Sequence, residues 1–381
     1  MNKIIAFVLG FVQTIMLFFG MLGSDAYEKQ TGLQEAVEAL TGKDEILAEQ
    51  YIGTVSDENW VEDEFSLEDM TILTKEKDKD FVVLNIADTH FADYDERAFF
   101  AFAGETTIRR MVAEIKPDLI TLSGDLVCTE STVYAMKRLT DLMESFGIPW
   151  APVFGNHDGE GNCDLNYLAD IMMKAPNCLF KKGDSEMGVG NYIIGISETD
   201  ENGTQNIAEA FIMMDSHSSQ PNERQHRWYA WAADGIQKLS NGKAEVSLLM
   251  HIPIPEYQYA YDAAWDSEAN AWKDAYHACG EKNEEICCER ADNIPVQRGF
   301  FDLIKQSGNT KYVFCGHEHL NNFSIEYEGV RLTYMLKLGW GSGYQFGFNG
   351  GTVITVGNQG ISEITHRTYS YGIPLNIVEI K

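Results

Sequence analysis

The chain has 381 residues, 44% of them apolar and 23% charged, which suits one large folded domain with extensions or two ordinary domains. Its 58 Asp and Glu outnumber its 29 Lys and Arg, giving a formal net charge of −29. That balance excludes long-range attraction to a polyanion such as DNA, although a small anion can still bind where positive charge is concentrated locally.

The first residues, MNKIIAFVLGFVQTIMLFFGMLG, place one Lys ahead of an uncharged run from Ile4 to Ser24. Residues 1–26 read as a secretory signal peptide cut after Ala26, or as an uncleaved N-terminal membrane anchor, because the run is longer than most signal cores. Lys3 keeps the start inside, so the expected localisation is extracytoplasmic: secreted, or at the cell surface if the segment is retained. No Cys follows the run, which gives no support to a lipid anchor. Outside the cytosol disulfides become possible, and the seven Cys cannot all pair within one chain. The local candidates are Cys163 with Cys178, and Cys279 with Cys287 or Cys288.

Residues 27–80 form an acidic extension, with seven acids and no base from Asp57 to Asp69. They read as a solvated linker or a short helical prefix on the domain surface. From Phe81 onward the texture changes. FVVLNIA (81–87), DLITLSG (118–124), PWAPVFG (149–155), EVSLLM (245–250) and KYVFCG (311–316) read as buried strands. Between them GETTIRRMVAEI, STVYAMKRLTDLMESF, NERQHRWYAWAADGIQKL and VQRGFFDLIKQS space their apolar residues as helices do. This alternation predicts a layered α/β domain. NNFSIEYEG, VRLTYMLKLG, GTVITVG and ISEITHRTY then follow as successive strands, so a mixed sheet or a second sheet packed on the first is expected. Residues 254–295 form an insert rich in aromatics and Cys, too long for an ordinary connection: a lid, a binding loop, a stapled excursion or an aromatic contribution to the core.

Each of the five strand-like runs ends in potential metal ligands: Asp88, Thr89 and His90; Asp125; Asn156, His157 and Asp158; His251; and His317, Glu318 and His319. Ligands collect beyond the carboxyl ends of strands in open α/β sheets. Singly these signals are weak, and a second DxH at Asp215 and His217 also follows an apolar run. GHEH is stronger, since in an extended segment His317 and His319 point the same way. Jointly they suit two metal ions roughly 3.5–4 Å apart, clamping the attacking and leaving oxygens of a displacement at phosphorus. A carboxylate must bridge ions that close. Mixed carboxylate and imidazole donors favour Fe, Mn or Zn over Mg or Ca.

The ordered set DTH, GD, GNHD, a downstream His and GHEH resembles the calcineurin-like metallophosphoesterase superfamily over about residues 81–340. IADTHFAD, SGDLV, MHIPIPEY and FCGHEHLNNF are most similar to its purple-acid-phosphatase-like branch. The resemblance implies an αββα sandwich, two mixed β-sheets flanked by helices, with residues 81–381 forming the metallophosphoesterase domain. It implies one metal on Asp88, His90, Asp125 and His319, a second on Asp125, Asn156, His251 and His317, and Asp125 as the bridge. A metal-held hydroxide would attack a phosphate mono- or diester in line. His157 would assist the leaving oxygen with Asp158 orienting it. Asp215 and His217 fall between the motifs and read as structural or rim residues. One departure stands out: purple acid phosphatases have a Tyr ligand three positions after the bridging Asp, and here Cys128 takes that place. A purple colour and a firmly held ferric ion are therefore not expected, and Cys128 reads as a small buried or disulfide-bonded residue rather than a thiolate ligand.

The leading expectation is an extracytoplasmic phosphatase or phosphodiesterase acting on a small phosphate ester, touching a membrane only through an uncleaved N-terminal segment. A nuclease of the same fold is disfavoured by the acidic balance and the lack of a basic stripe, so no nucleic-acid polymer is expected as partner. A surface binding protein that has lost its chemistry is disfavoured because every expected ligand is present.

Overall fold

The computed structural model describes residues 50–92, 98–199, 205–217, 219–287, 299–340, 345–370 and 372–380. The segment expected as signal or anchor lies outside the described residues, as does Cys288. Among the described residues no helix is long and apolar enough to cross a membrane.

Short apolar runs form the strands of two sheets. In the first half they are β1 (Thr71–Lys75), β2 (Phe81–Ile86), β3 (Leu119–Ser123), β4 (Trp150–Val153), β5 (Tyr192–Thr199), β6 (Gln205–Met213) and β7 (Glu245–Leu249). A small hairpin of β8 (Trp265–Asp266) and β9 (Ala271–Trp272) follows. The remainder are β10 (Thr310–Cys315), β11 (Ser324–Tyr327), β12 (Val330–Tyr334), β13 (Gly350–Gly357), β14 (Gly360–Ser370) and β15 (Ile373–Glu379). The six-stranded sheet runs β15-β14-β13-β2-β3-β4, parallel from β2 to β4 and antiparallel beyond β2. The seven-stranded sheet runs β1-β5-β6-β7-β10-β12-β11, mainly parallel with antiparallel pairs at β5–β6 and β11–β12.

Alternation along the strands explains the layering. On β10, Tyr312 and Phe314 face the core shared with Leu84, Leu122 and Ile354 of the other sheet, while Val313 and Cys315 face a second core. That second core is closed by helices α4 (Glu223–Leu239), α5 (Glu256–Ala264) and α6 (Phe300–Ser307), through Trp228, Ala232, Tyr257 and Ile304. Helices α1 (Ala98–Ile115), α2 (Thr132–Glu144) and α3 (Leu165–Met172) cover the six-stranded sheet with Ile108, Met111, Met136, Leu139 and Leu168. The result is the four-layer αββα sandwich of two mixed sheets expected from the resemblance.

Two expected disulfides need correction, and the described part of the extension, from residue 50, packs on the domain with an edge strand rather than a helix: β1 pairs in parallel with β5 and Tyr51 bridges to Cys163. Trp60 and Phe65 pack on Trp231. Cys163 and Cys178 are both free thiols, the first bridged to Tyr51 and the second to Trp150. Cys279 and Cys287 are likewise not joined.

Candidate metal centre

Five strand ends meet at one seam between the sheets. From one sheet, β2 brings Asp88 and His90, β3 brings Asp125, and β4 brings Asn156, His157 and Asp158. From the other, β7 brings His251 and β10 brings His317 and His319.

Ligand atoms of Asp88, His90, Asp125 and His319 all lie within 4.8 Å of one another, as do those of Asp125, His251 and His317. Asp125 belongs to both groups. Its Oδ2 is 3.5 Å from His90 Nε2 and its Oδ1 is 3.3 Å from His251 Nε2. Asn156 joins the second group through Oδ1, 3.1 Å from His251 Nε2, and His319 Nε2 reaches Asp88 Oδ1 at 3.6 Å. His317 and His319 fall one in each of the two groups that share Asp125, and the left-handed backbone at His317 (φ 78°) departs from regular strand geometry.

Glycines matter here as space. A Cβ on Gly155 would lie 2.2 Å from Asp125 Oδ1, and one on Gly124 would lie 2.3 Å from His251 Nδ1. That intimacy lets His251 Nδ1 bond the Ser123 carbonyl at 2.9 Å, which ties the two sheets together and aims Nε2 at Asp125.

The donor set fits metal ions. Both ring nitrogens of His90 and Oδ2 of Asp125 are buried without a hydrogen-bond partner, a costly state for polar atoms that bound cations relieve. Burial lowers His317 and His319 to about 4 and His90 well below its ordinary value, so all three imidazoles are neutral and offer lone pairs. Burial alone would raise Asp125, but His251, His90 and His157 hold its carboxyl well below the usual range.

His157 stands at the rim, about one third exposed, with Nε2 4.0 Å from Asp125 Oδ2. Its Nδ1 meets Glu160 Oε2 at 2.8 Å, so Glu160 and not Asp158 orients the ring. Asp158 is fully buried and faces away: its two oxygens accept the amides of Val127 (2.9 Å) and Gly155 (2.7 Å). It shapes the turn that presents Asn156 and His157. Glu160 carried a sequence signal, three residues after His157, that the adjacent acid obscured.

Lys337 was also missed. It is 3% exposed, with Nζ 3.4 Å from the Asp88 carbonyl oxygen, and burial lowers it to about 8. Nothing in the run MLKLG distinguishes it from a surface Lys. Asp215 and His217 stay apart from both groups. Asp215 accepts the amides of Val189 and His217 at 2.8 and 2.7 Å, and His217 Nε2 meets Gln225 at 2.8 Å, a closed structural set. Among the described residues no Cys, Cys128 included, falls within either group.

Two relatives from Arabidopsis thaliana are similar to the chain. "Probable inactive purple acid phosphatase 29" is 27% identical over 302 residues, covering 70% of this chain and 72% of the relative. "Probable inactive purple acid phosphatase 14" is 26% identical over 300 residues, covering 67% and 69%. Among solved structures, a dimetal phosphatase from Danio rerio aligns with a TM-score of 0.48 and 9% identity over 79% of this chain and 99% of that one. A family model for calcineurin-like phosphoesterases matches residues 81–321, more than half of the chain. That span encloses every site residue from Asp88 to His319, and the chain belongs to the calcineurin-like phosphoesterase family.

Proposed function

We propose that the protein hydrolyses small phosphate esters outside the cytoplasm at a centre for two transition-metal ions, Fe, Mn or Zn. The observation that carries this reading is the pair of ligand groups sharing Asp125. Asp88, His90, Asp125 and His319 would hold one ion, and Asp125, Asn156, His251 and His317 the other. Two ions bound there would supply Lewis acidity toward phosphoryl oxygens and acidify water.

The protein's own groups do the rest. With Asp88 and Asp125 as its two carboxylates, a centre holding two divalent ions would be net positive and would attract a phosphate to a chain of charge −29. His157 faces the centre from its rim and would donate a proton to a leaving alcohol oxygen; Glu160, hydrogen-bonded to its Nδ1, favours the protonated ring. Glu160 accepts from Nδ1, leaving Nε2 to face the centre.

The test is metal analysis of purified protein together with hydrolysis of p-nitrophenyl phosphate and bis(p-nitrophenyl) phosphate. Bound metal with turnover of either ester supports the reading. Absence of both across Mn, Fe, Zn and Co overturns it. The words "probable inactive" in the two relatives' names motivate a second reading, a metal-binding protein without hydrolysis, which predicts bound metal and no turnover.

A further inference from the structure

The loop that carries His317 and His319 has little regular structure of its own, and its backbone groups find partners in a segment from far back in the chain. Residues 279–287, in the excursion after α5, lie alongside it. Cys279 and Ser324 exchange two backbone bonds of 3.0 Å. Asn322 N donates to the Glu281 carbonyl at 3.1 Å, and Asn322 Oδ1 accepts Glu281 N at 2.7 Å. Leu320 N donates to Glu284 Oε2 at 3.1 Å.

Two side chains of the ligand loop complete the contact. Asn321 Oδ1 accepts the amides of Asn283 (2.9 Å) and Glu284 (3.0 Å). Glu318 accepts Cys287 N on one oxygen and the Tyr334 hydroxyl on the other, both at 2.6 Å. Asn321 is 2% and Glu318 4% exposed, whereas Glu281, Asn283, Glu284 and Cys287 are exposed. Buried polar side chains on the ligand loop are thus satisfied by the main chain of a surface segment.

We infer that residues 279–287 are a strap that positions the ligand loop, with Asn321 and Glu318 as positioning residues that set how firmly the centre holds metal; this rests on the metal-centre reading above. The strap is anchored at its root, where Trp272 Nε1 donates to the Gly280 carbonyl at 3.0 Å. Gly280 permits the close approach: its φ is +83°, and a Cβ there would lie 2.5 Å from the Asn322 carbonyl oxygen. A Gly280→Ala change therefore lifts the strap without altering any residue of the ligand loop.

The experiment loads the full chain with Mn(II) and follows its release to excess EDTA, alongside thermal melting and amide hydrogen exchange at Leu320, Asn322 and Ser324. Asn321→Ala and Gly280→Ala should each release Mn(II) about tenfold faster, as loss of ligand-orienting contacts does elsewhere. Exchange at the three amides should quicken while the metal-free melting temperature stays near that of the wild type. Asn321→Asp keeps the acceptor oxygen, and Asn321 Nδ2 has no partner to lose, so release should return toward wild type. Unchanged release and exchange in both Ala variants would overturn the strap, as would faster release that only tracks a fall in melting temperature. If Asn321→Ala does not fold, Gly280→Ala decides alone. A wild type that holds no metal sinks the metal-centre reading instead, a result distinct from wild-type-like release by the variants.

Discussion

Gly155→Ala tests whether close packing, rather than turn formation, explains the glycine in VFGNHDGEG. The added methyl would lie 2.2 Å from Asp125 Oδ1, 2.3 Å from Asp125 N and 2.8 Å from His251 Cδ2. Ordinary contact requires the groups to part by about 1 Å, and overpacking of this kind costs about 1–3 kcal/mol. Neither neighbour yields easily, because Asp125 and His251 are buried and His251 is bonded to Ser123. Metal sites tolerate ligand shifts of only about 0.2 Å, so affinity should fall by at least about tenfold. The reference is Gly159→Ala in the same motif, where the nearest atom is Leu165 Cδ2 at 3.5 Å. Melting curves with and without Mn(II), together with metal content, provide the assay. Gly155→Ala should melt several degrees lower and gain little from metal, while Gly159→Ala behaves as wild type. Wild-type metal content and metal-induced stabilisation in Gly155→Ala would refute the steric argument.

Asp125→Ala should lose metal and turnover together, since both ligand groups share that carboxylate, whereas His157→Ala should keep metal and lose about 10²–10⁴ in turnover; normal turnover in His157→Ala would remove its assigned role. Glu160→Gln should slow esters of poor leaving groups more than p-nitrophenyl phosphate, because leaving-group protonation matters most there; an equal effect on both would contradict its orienting role. Asp158→Ala leaves the buried amides of Val127 and Gly155 without acceptors and should destabilise the metal-free protein by about 2–4 kcal/mol in urea unfolding. His366 is 1% exposed, and burial lowers it to about 4. The folded state therefore binds fewer protons than the unfolded state between about pH 6.5 and 4, and stability should fall by up to about 3 kcal/mol as pH drops through that window. His366→Gln should flatten that slope; an unchanged slope would show that other groups cause the acid loss.

The strands that form the centre were legible because they are buried on both faces: FVVLNI and LITLS are apolar almost throughout and end abruptly in polar residues. β5 and β6 were not. Tyr192–Thr199 includes Gly195, Ser197 and Glu198, and in β6 the buried Glu209 confines the apolar run to the strand's second half, so neither is apolar along its whole length. β1 was hidden because five residues at a sheet edge sit within an acidic stretch. Helices α3 and α5, of eight and nine residues, are too short for periodicity to declare them. The seven motif residues assigned as ligands do come together, yet the contact to His157 expected of Asp158 is made by Glu160, because neighbouring side chains in a turn diverge whereas the third residue on returns beneath the imidazole. The strap was invisible for a different reason: it contributes mainly main-chain groups, and the side chains that receive them, Glu318, Asn321 and Asn322, read in sequence as ordinary polar loop residues.

Four site residues with a Cβ, Asp88 (φ 49°), His90 (45°), Asp125 (47°) and His317 (78°), adopt left-handed backbone just beyond their strands. Such conformations cost of order 1–3 kcal/mol each and persist only where the surroundings fix them. Here the fixing bonds cross between strand ends: Asp88 N to the Gly124 carbonyl at 3.2 Å, and His90 N to the Asp125 carbonyl at 3.0 Å. A regular strand would send successive side chains to opposite faces. The left-handed turns instead bring ligands from both sheets to one side of the seam, where the orphaned atoms of His90 and Asp125 lie. Strain and unsatisfied polarity thus coincide at the point where bound cations would offset both, which is why the centre reads as prepared for metal rather than as an accident of the turns.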